Sequence, residues 1–179
     1  YHSAMKHVGS ARKKMRKKTI FNLIGPLSSP AQVKRQVIGV FDKKWMKPFA
    51  EALREIDVEH AYIVNSEDGM DEISPFAKTN VIELNNNKIF EFTIDPNTMG
   101  INLTNKNNLK GKNSSYNANK ILEIFKGKNN EFSEAVALNA AAGLIVSGKE
   151  NDYKNAYLKA KKQLNSGKVH DHLLKLKTL

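Results

Sequence analysis

Residues 36–41 read QVIGVF, a short apolar run rich in β-branched side chains. Such a run is typical of a strand that is buried on both faces, as in a parallel sheet. The next segment, residues 44–56, has apolar side chains spaced as on one face of a helix: Met46, Phe49, Ala50, Leu53 and Ile56. Residues 61–64, AYIV, then form a second buried strand. The order strand, helix, strand with short connections predicts a parallel crossover, which is the basic unit of an α/β fold.

Further along the chain, residues 79–84 (TNVIEL) and 88–93 (KIFEFT) are two strand-like runs joined by three asparagines. Asparagine tolerates left-handed backbone angles, so this pattern predicts a hairpin with a three-residue turn. A polar loop over residues 95–114 follows. Four helices are then predicted by apolar periodicity, over residues 117–126, 131–147, 152–165 and 168–176.

Three glycines mark predicted helix ends in the C-terminal part of the chain. Gly127, Gly148 and Gly167 each follow an apolar-periodic run, where a glycine ends a helix in the left-handed conformation. The helix between the first two of them carries EAVALNAAAGLIV, which is apolar nearly all round and predicts burial with close neighbours. The chain is therefore expected to be a single α/β domain over residues 1–179. It would have a mostly parallel sheet flanked by helices, a β-hairpin and a helical C-terminal part.

The amino-acid composition excludes several classes of protein. The 179 residues are 40% hydrophobic, which suffices for one domain with a core. There is no apolar run of the length that crosses a membrane. The chain has no cysteine, which excludes disulfides, thiol catalysis and cysteine metal sites. This usage fits a reducing compartment, and we expect a cytoplasmic protein.

The net charge of +11 raises the question of nucleic-acid binding. Lysines are scattered over the whole chain, and only residues 12–18, RKKMRKK, form a dense basic block. No aromatic residue is interleaved with this block to stack on bases, whereas proteins that bind single strands usually combine the two features. We therefore do not expect nucleic acid to be the main partner, and favour a helix end beside a pocket for an anionic substrate.

Five segments together resemble one family, in order and in spacing. They are HSAMKHVGSAR at 2–12, TIFNLIGPLSSPA at 19–31, QVIGVF at 36–41, EDGMDEIS at 67–74 and ALNAAAGLIVSGK at 137–149. They are similar to the larger α/β domain of the anthranilate phosphoribosyltransferases, whose fold resembles that of the nucleoside phosphorylases. The resemblance implies transfer of the phosphoribosyl group from phosphoribosyl pyrophosphate to the amine of anthranilate, in tryptophan synthesis. It also implies Mg²⁺ as cofactor.

The same resemblance assigns an anthranilate site to the N-terminal part of the chain. It implies that Arg12 holds the anthranilate carboxylate, a task suited to a planar bidentate donor. His2 and Met5 would lie in the same aromatic pocket. Gly25 and Pro26 would form its wall, because glycine allows a flat substrate to approach the backbone and proline fixes the turn.

The resemblance assigns the metal to Asp71 and Glu72, beside the pyrophosphate. One or two carboxylates, completed by water and phosphate oxygens, are what Mg²⁺ prefers. The two acids follow a predicted buried strand, at the carboxyl edge where α/β sheets bind ligands. Asp68 is close in sequence and is a weaker candidate. Arg12, Gly25 and Asp71 are therefore expected to converge on one cleft.

The resemblance also implies parts that these 179 residues do not contain. A glycine-rich GTGGD-type loop for pyrophosphate and a small helical domain lie upstream in the family, and neither pattern occurs here. We expect the chain to be the C-terminal part of such an enzyme, inactive without the missing part and homo-oligomeric when complete. Its sheet would expose an edge or an apolar face for the missing part or for a second copy.

Two other classes of function remain open. The first is a related enzyme of the same fold with another acceptor, such as a pyrimidine nucleoside phosphorylase. The second is a noncatalytic basic module that binds nucleic acid. A carboxylate-binding Arg12 distinguishes the first alternative from an anthranilate enzyme, and salt-dependent affinity for nucleic acid would indicate the second.

Overall fold

The structure, a computed structural model, describes residues 7, 9, 14, 15, 22–103 and 105–178, except the side chain of residue 108. Its centre is one four-stranded sheet, in the order β1-β2-β3-β4. The strands are β1 (Arg35–Gly39), β2 (His60–Ser66), β3 (Thr79–Asn85) and β4 (Lys88–Ile94). Every residue of β2 is buried, as the apolar run at residues 61–64 predicted.

The first two strands form the predicted parallel pair, in register from Arg35 beside His60 to Gly39 beside Val64. Both other pairings, of β2 with β3 and of β3 with β4, are antiparallel. The α/β class is confirmed, but the sheet is mixed rather than mostly parallel. The physical reason is that residues 67–78 contain no helix that could carry the chain back across the sheet, so β3 returns beside β2 in the opposite direction.

The hairpin between β3 and β4 is confirmed with a tighter turn than predicted. Asn85 pairs with Lys88, so only Asn86 and Asn87 form the connection. Both have positive φ, of 47° and 68°. A two-residue turn of type I′ needs positive φ at both positions, and its twist matches that of the flanking strands. The predicted three-residue turn is therefore wrong by one residue.

Five of the described helices lie close to their predicted positions, and one further short helix lies at Ile24–Leu27, where a turn was predicted at Gly25 and Pro26. The turn is wrong there because proline is tolerated in the first turn of a helix. The helices are α1 (Ile24–Leu27), α2 (Met46–Glu55), α3 (Ser114–Phe125), α4 (Glu131–Val146), α5 (Tyr153–Asn165) and α6 (Lys168–Leu176). Short 3₁₀ turns precede α2 and interrupt the predicted polar loop, at Lys43–Trp45, Pro96–Met99 and Lys106–Leu109. Gly127, Gly148 and Gly167 have φ between 72° and 95°, which confirms them as left-handed residues after helix ends.

The sheet separates two apolar clusters. On one face, α2 buries Met46, Phe49 and Leu53 against alternate residues of the strands, and Leu23 joins this cluster just before α1. On the other face, α4 and α5 cover the remaining side chains of β2 and β3, including Val64 and Val81. The structure is therefore layered, with helices on both sides of the sheet.

Helix α4 is buried along most of its surface. As the small side chains predicted, the apolar core that this helix shares with β2, β3 and α5 buries Ala137, Leu138, Ala141 and Ala142. One stripe is open, because Val136 is 37% exposed and Ala140 is also exposed. The predicted burial of this helix is confirmed for most of its surface and is wrong for that stripe, which forms the floor of a groove.

Both β1 and β4 lie at the edges of the sheet. Phe90 on β4 is 50% exposed, and Phe92 beside it is also exposed. This confirms the expected exposed edge within the described part of the chain. Among the described residues, no helix is both long enough and apolar enough to cross a membrane. Residues 7, 9, 14 and 15, the described residues that precede residue 22, are helical.

Candidate functional site

The candidate metal site lies on the connection between β2 and β3, which we call the acidic loop and define as residues 67–78. It starts at the carboxyl end of β2, next to the carboxyl end of β1. Asn65 links these two ends, because its side-chain amide donates a hydrogen bond of 2.8 Å to the carbonyl oxygen of Val40. Ligands bind to α/β sheets at this edge, where backbone and loop groups converge.

Asp71 and Glu72 are both exposed on the acidic loop, as a ligand site requires. Partial burial of the Glu72 carboxyl raises its pKa, and the neighbouring charge of Asp71 raises it further. Within the described ranges, neither carboxylate forms an ion pair. A divalent cation between the two would relieve their repulsion.

The donor set fits Mg²⁺ rather than a metal held by protein ligands alone. No group of three or more acidic or histidine side chains in the described part of the chain could hold an ion. Mg²⁺ keeps several waters and commonly takes one or two carboxylates together with substrate phosphates. Two adjacent exposed carboxylates are consistent with that kind of site.

Asp68 is turned inward and anchors the start of the acidic loop. Its side chain is 1% exposed, and it accepts hydrogen bonds of 2.8 Å from the Ser74 hydroxyl and 3.3 Å from the Met70 amide. Lys106 Nζ lies 3.3 Å from the same carboxylate. Burial works to raise the pKa of Asp68, but these hydrogen bonds outweigh it and hold the pKa below its usual value. Asp68 therefore acts as an anchor of the loop rather than as an exposed ligand.

Two contacts that the sequence analysis did not identify hold the middle of the acidic loop. Gly39, the last residue of β1, lies against the backbone of Asp71, so closely that a Cβ at Gly39 would overlap the Asp71 carbonyl oxygen. Asn139 of α4 binds the backbone of Ile73 through its side-chain amide. The available signals were a glycine inside a β-branched strand and an asparagine inside an apolar helix.

Glu72 lines a groove whose floor is the open stripe of α4. The groove is mainly apolar, and its other lining residues are Met70, Leu109, Phe132, Ala135, Val136, Asn139 and Ala140. The acidic loop thus faces α4 on one side and the end of β1 on the other.

Gly25 and Pro26 lie in α1, on the face of the sheet that α2 covers. Pro26 lines a cavity with Gln36 and Val58, towards the amino ends of β1 and β2. Neither Asp71 nor Glu72 lines this cavity. Space in front of Gly25 is open among the described residues, since a Cβ there would meet none of their atoms within 4 Å.

Arg12, His2 and Met5 lie outside the described residues, so the predicted convergence of Arg12 with Gly25 and Asp71 stays a prediction.

A second polar cavity lies at the opposite end of the sheet. His60 and Glu83 form a contact of 2.7 Å there, beside Arg35 and Glu59. Burial, and then the charge of Glu83, raise the pKa of Tyr62 in the same place. These groups are largely paired with each other, and they lie at the amino end of the parallel strands. The carboxyl edge is therefore the better candidate.

The chain is similar to known proteins over most of its length. The sequence profile described as "Glycosyl transferase family, a/b domain" matches residues 1–170. Anthranilate phosphoribosyltransferase of Pelagibacter ubique (strain HTCC1062) is 56% identical over 179 residues, which are 100% of this chain and 54% of that protein. The protein of the same name from Afipia carboxidovorans is 40% identical over 98% of this chain and 52% of its own length. The chain thus spans about half the length of the curated relatives that it matches.

Solved structures show the same fold. The crystal structure of anthranilate phosphoribosyltransferase from Thermus thermophilus superposes with a TM-score of 0.87 at 32% identity, over 97% of this chain and 51% of that chain. The enzyme from Saccharomyces cerevisiae in complex with PRPP and Mg superposes with a TM-score of 0.84 at 26% identity, over 95% of this chain and 49% of that chain. The likeness to these structures and the profile match over residues 1–170 lead to one conclusion: the chain belongs to the glycosyl transferase family and carries its a/b domain.

Proposed function

We propose that the protein containing this chain is an anthranilate phosphoribosyltransferase, which transfers the phosphoribosyl group of phosphoribosyl pyrophosphate to the amine of anthranilate. The observation that carries the proposal is the exposed pair Asp71–Glu72, held at the carboxyl edge of the sheet. One relative named for this activity matches the whole length of the chain, and one related structure holds PRPP and Mg.

In this proposal the residues of the chain bind and orient rather than exchange protons. The amine nitrogen forms a bond to C1 of the ribose while the bond from C1 to the pyrophosphate oxygen breaks, and the amine afterwards releases a proton. Holding the two reactants in line supplies much of the rate enhancement of such a transfer. Asp71 and Glu72 would hold Mg²⁺, and a bound Mg²⁺ neutralises charge on the leaving pyrophosphate.

The anthranilate side of the proposal rests on Arg12, His2, Met5, Gly25 and Pro26. Arg12 would bind the carboxylate of anthranilate through two parallel hydrogen bonds. Among the described residues nothing fills the space in front of Gly25, and this supports the role of that residue, because a flat ring needs such space to approach the backbone. A related structure from Saccharomyces cerevisiae contains 4-fluoroanthranilate.

We further propose that residues 1–179 form a single domain and that the protein functions in the cytoplasm. The relatives are about twice as long as this chain, so the main cradle for pyrophosphate would lie in the other half. The exposed edge strands β1 and β4 offer surfaces for that half or for a second copy in a homo-oligomer. The 179 residues alone are then expected to show no turnover.

The test is steady-state kinetics of the full-length protein with Arg12→Ala and, as matched control, Lys14→Ala. Lys14 is an exposed cation of the same basic block. Arg12→Ala should raise the KM for anthranilate at least about tenfold, the scale of a lost charged hydrogen bond, while the KM for phosphoribosyl pyrophosphate stays the same. Lys14→Ala should change neither. An unchanged KM for anthranilate in Arg12→Ala would favour an enzyme with another acceptor.

A further inference from the structure

Asn139 is a polar side chain in the middle of α4, and its amide is bonded to the backbone of the acidic loop. The Ile73 amide donates a hydrogen bond of 3.0 Å to Asn139 Oδ1, and Asn139 Nδ2 donates one of 2.9 Å to the Ile73 carbonyl oxygen. The second hydrogen of Nδ2 goes to the carbonyl oxygen of Ala135, also at 2.9 Å. One side chain thus pairs both backbone polar groups of Ile73.

This double hydrogen bond fixes the direction of the loop as well as its position. A planar amide can bind the N–H and the C=O of one residue only if that backbone lies in a single orientation. The Ile73 side chain is 0% exposed and belongs to the apolar core, so the residue is held from both its backbone and its side chain. Glu72 is the next residue towards the N-terminus, and Asp71 directly precedes Glu72.

A second contact holds the same segment from the other side. Gly39 at the end of β1 lies against the backbone of Asp71. The two acids are thereby placed between a strand end and a helix. Neither carboxylate is held by a cation among the described residues. The place of both acids on the loop is therefore set by the backbone, which Gly39 contacts at Asp71 and Asn139 holds at Ile73.

We propose that Asn139 is a positioning residue for the magnesium-binding carboxylates Asp71 and Glu72. This inference rests on the proposed function, because it takes the two acids as the metal ligands. Asn139 contacts no metal in this proposal and acts through the backbone of Ile73. Groups that orient metal ligands from behind typically change metal affinity 10- to 100-fold when they are removed.

The experiment uses the full-length protein and titrates it with Mn²⁺, followed by electron paramagnetic resonance. The variant is Asn139→Leu, which keeps the volume and removes all three hydrogen bonds. The control is Tyr153→Phe, because the Tyr153 hydroxyl donates a hydrogen bond of 2.7 Å to Leu138, the neighbour of Asn139 in the same helix. The double variant Asp71→Asn, Glu72→Gln tests the metal site itself. Amide hydrogen exchange at Ile73 is measured in parallel.

The expected result is about tenfold weaker Mn²⁺ binding and faster exchange of the Ile73 amide in Asn139→Leu. Tyr153→Phe should keep the affinity of the parent. Parent-like affinity in a folded Asn139→Leu protein would overturn the inference and leave the metal assignment intact. Parent-like affinity in the double variant would instead overturn the metal assignment, and the inference with it. Should Asn139→Leu fail to fold, Asn139→Ser is judged by the same two measurements.

Discussion

The backbone carbonyl of Asp71 lies against the Cα of Gly39, in the space that any larger residue would need for its Cβ. Gly39 ends β1, so this contact joins the carboxyl edge of the sheet directly to the acidic loop. The φ of Gly39 is not positive, and the glycine is needed here for close approach rather than for an unusual backbone angle. The position of the two exposed acids therefore depends on a residue without a side chain.

Gly39→Ala is expected to destabilise the protein by about 1–3 kcal/mol, the usual cost of overpacking a tight contact. It should also weaken Mn²⁺ binding, because Asp71 must move. Gly143→Ala in α4 is the control, since a Cβ there meets no atom of the described residues within 4 Å. That variant should gain about 0.5–1 kcal/mol from helix propensity. Urea unfolding measures both, and equal effects of the two substitutions would contradict the contact.

Glu72 predicts a pH dependence of metal binding. Burial, and then the charge of Asp71, raise the pKa of Glu72. If Glu72 binds Mg²⁺ as proposed, a proton competes with the metal at a higher pH than at an ordinary glutamate, whose pKa is about 4.3. Mn²⁺ affinity should fall as the pH drops through the folded pKa of Glu72. Titrations between about pH 4 and about pH 7 should show this fall in the parent and a shallower one in Glu72→Gln.

The raised pKa of Glu72 also predicts how the stability of the protein depends on pH. The folded protein binds the Glu72 proton more tightly than the unfolded chain does. The stability that protonation of Glu72 contributes is therefore fully present below the unfolded pKa of this residue and is lost as the pH rises through its folded pKa. Without metal, Glu72→Gln should be relatively more stable than the parent at neutral pH than at acidic pH. Thermal unfolding at two pH values measures the difference, and a constant difference would contradict the raised pKa.

Local patterns in the sequence predicted the elements of this fold well. The strands β1 and β2 follow from short continuous apolar runs, the helix α2 follows from apolar side chains at helical spacing, and the hairpin position follows from the asparagine run. The direction of β3 was not predictable in this way. It depends on whether the connection after β2 forms a crossover helix, and residues 67–78 are polar and irregular enough to leave this open.

The candidate site was predicted only in part, for a related reason. Asp71 and Glu72 were identified through resemblance, and their exposure at the sheet edge agrees with a ligand role. Gly39 and Asn139 act on backbone groups far away in the chain, and Asn139 is 66 residues from its partner Ile73. Such pairings have no local signature, because any residue can offer the N–H and C=O that they use.

The lowered pKa of Asp68 predicts that the protein loses stability in acid. The hydrogen bonds that its buried carboxylate accepts outweigh the effect of burial and lower its pKa. The stability that this gives is present above the unfolded pKa of about 3.9 and is lost as the pH falls through the lower folded pKa. Asp68→Asn should cost about 1–3 kcal/mol at neutral pH, because it disturbs a buried hydrogen-bonded charge. The difference from the parent should shrink in acid.

Urea unfolding at neutral pH and near pH 3 tests this expectation, with Glu51→Gln as control. Glu51 is an exposed carboxylate on α2, so its neutralisation should change stability little at either pH. A loss in Asp68→Asn of the same size at both pH values would show that the carboxylate charge is not what anchors the loop.

Gly127 and Gly167 both follow helix ends, but only one of them is also closely packed. Both have left-handed φ, of 95° and 74°. A Cβ at Gly127 would also lie 2.8 Å from the carbonyl oxygen of Asn165, whereas at Gly167 the nearest atom is the Lys126 carbonyl oxygen at 3.8 Å. Gly167→Ala should cost about 1–2 kcal/mol from backbone strain alone. Gly127→Ala should cost more in urea unfolding, because it adds a clash between the end of α3 and the end of α5, and equal costs would mean that the two helix ends can separate freely.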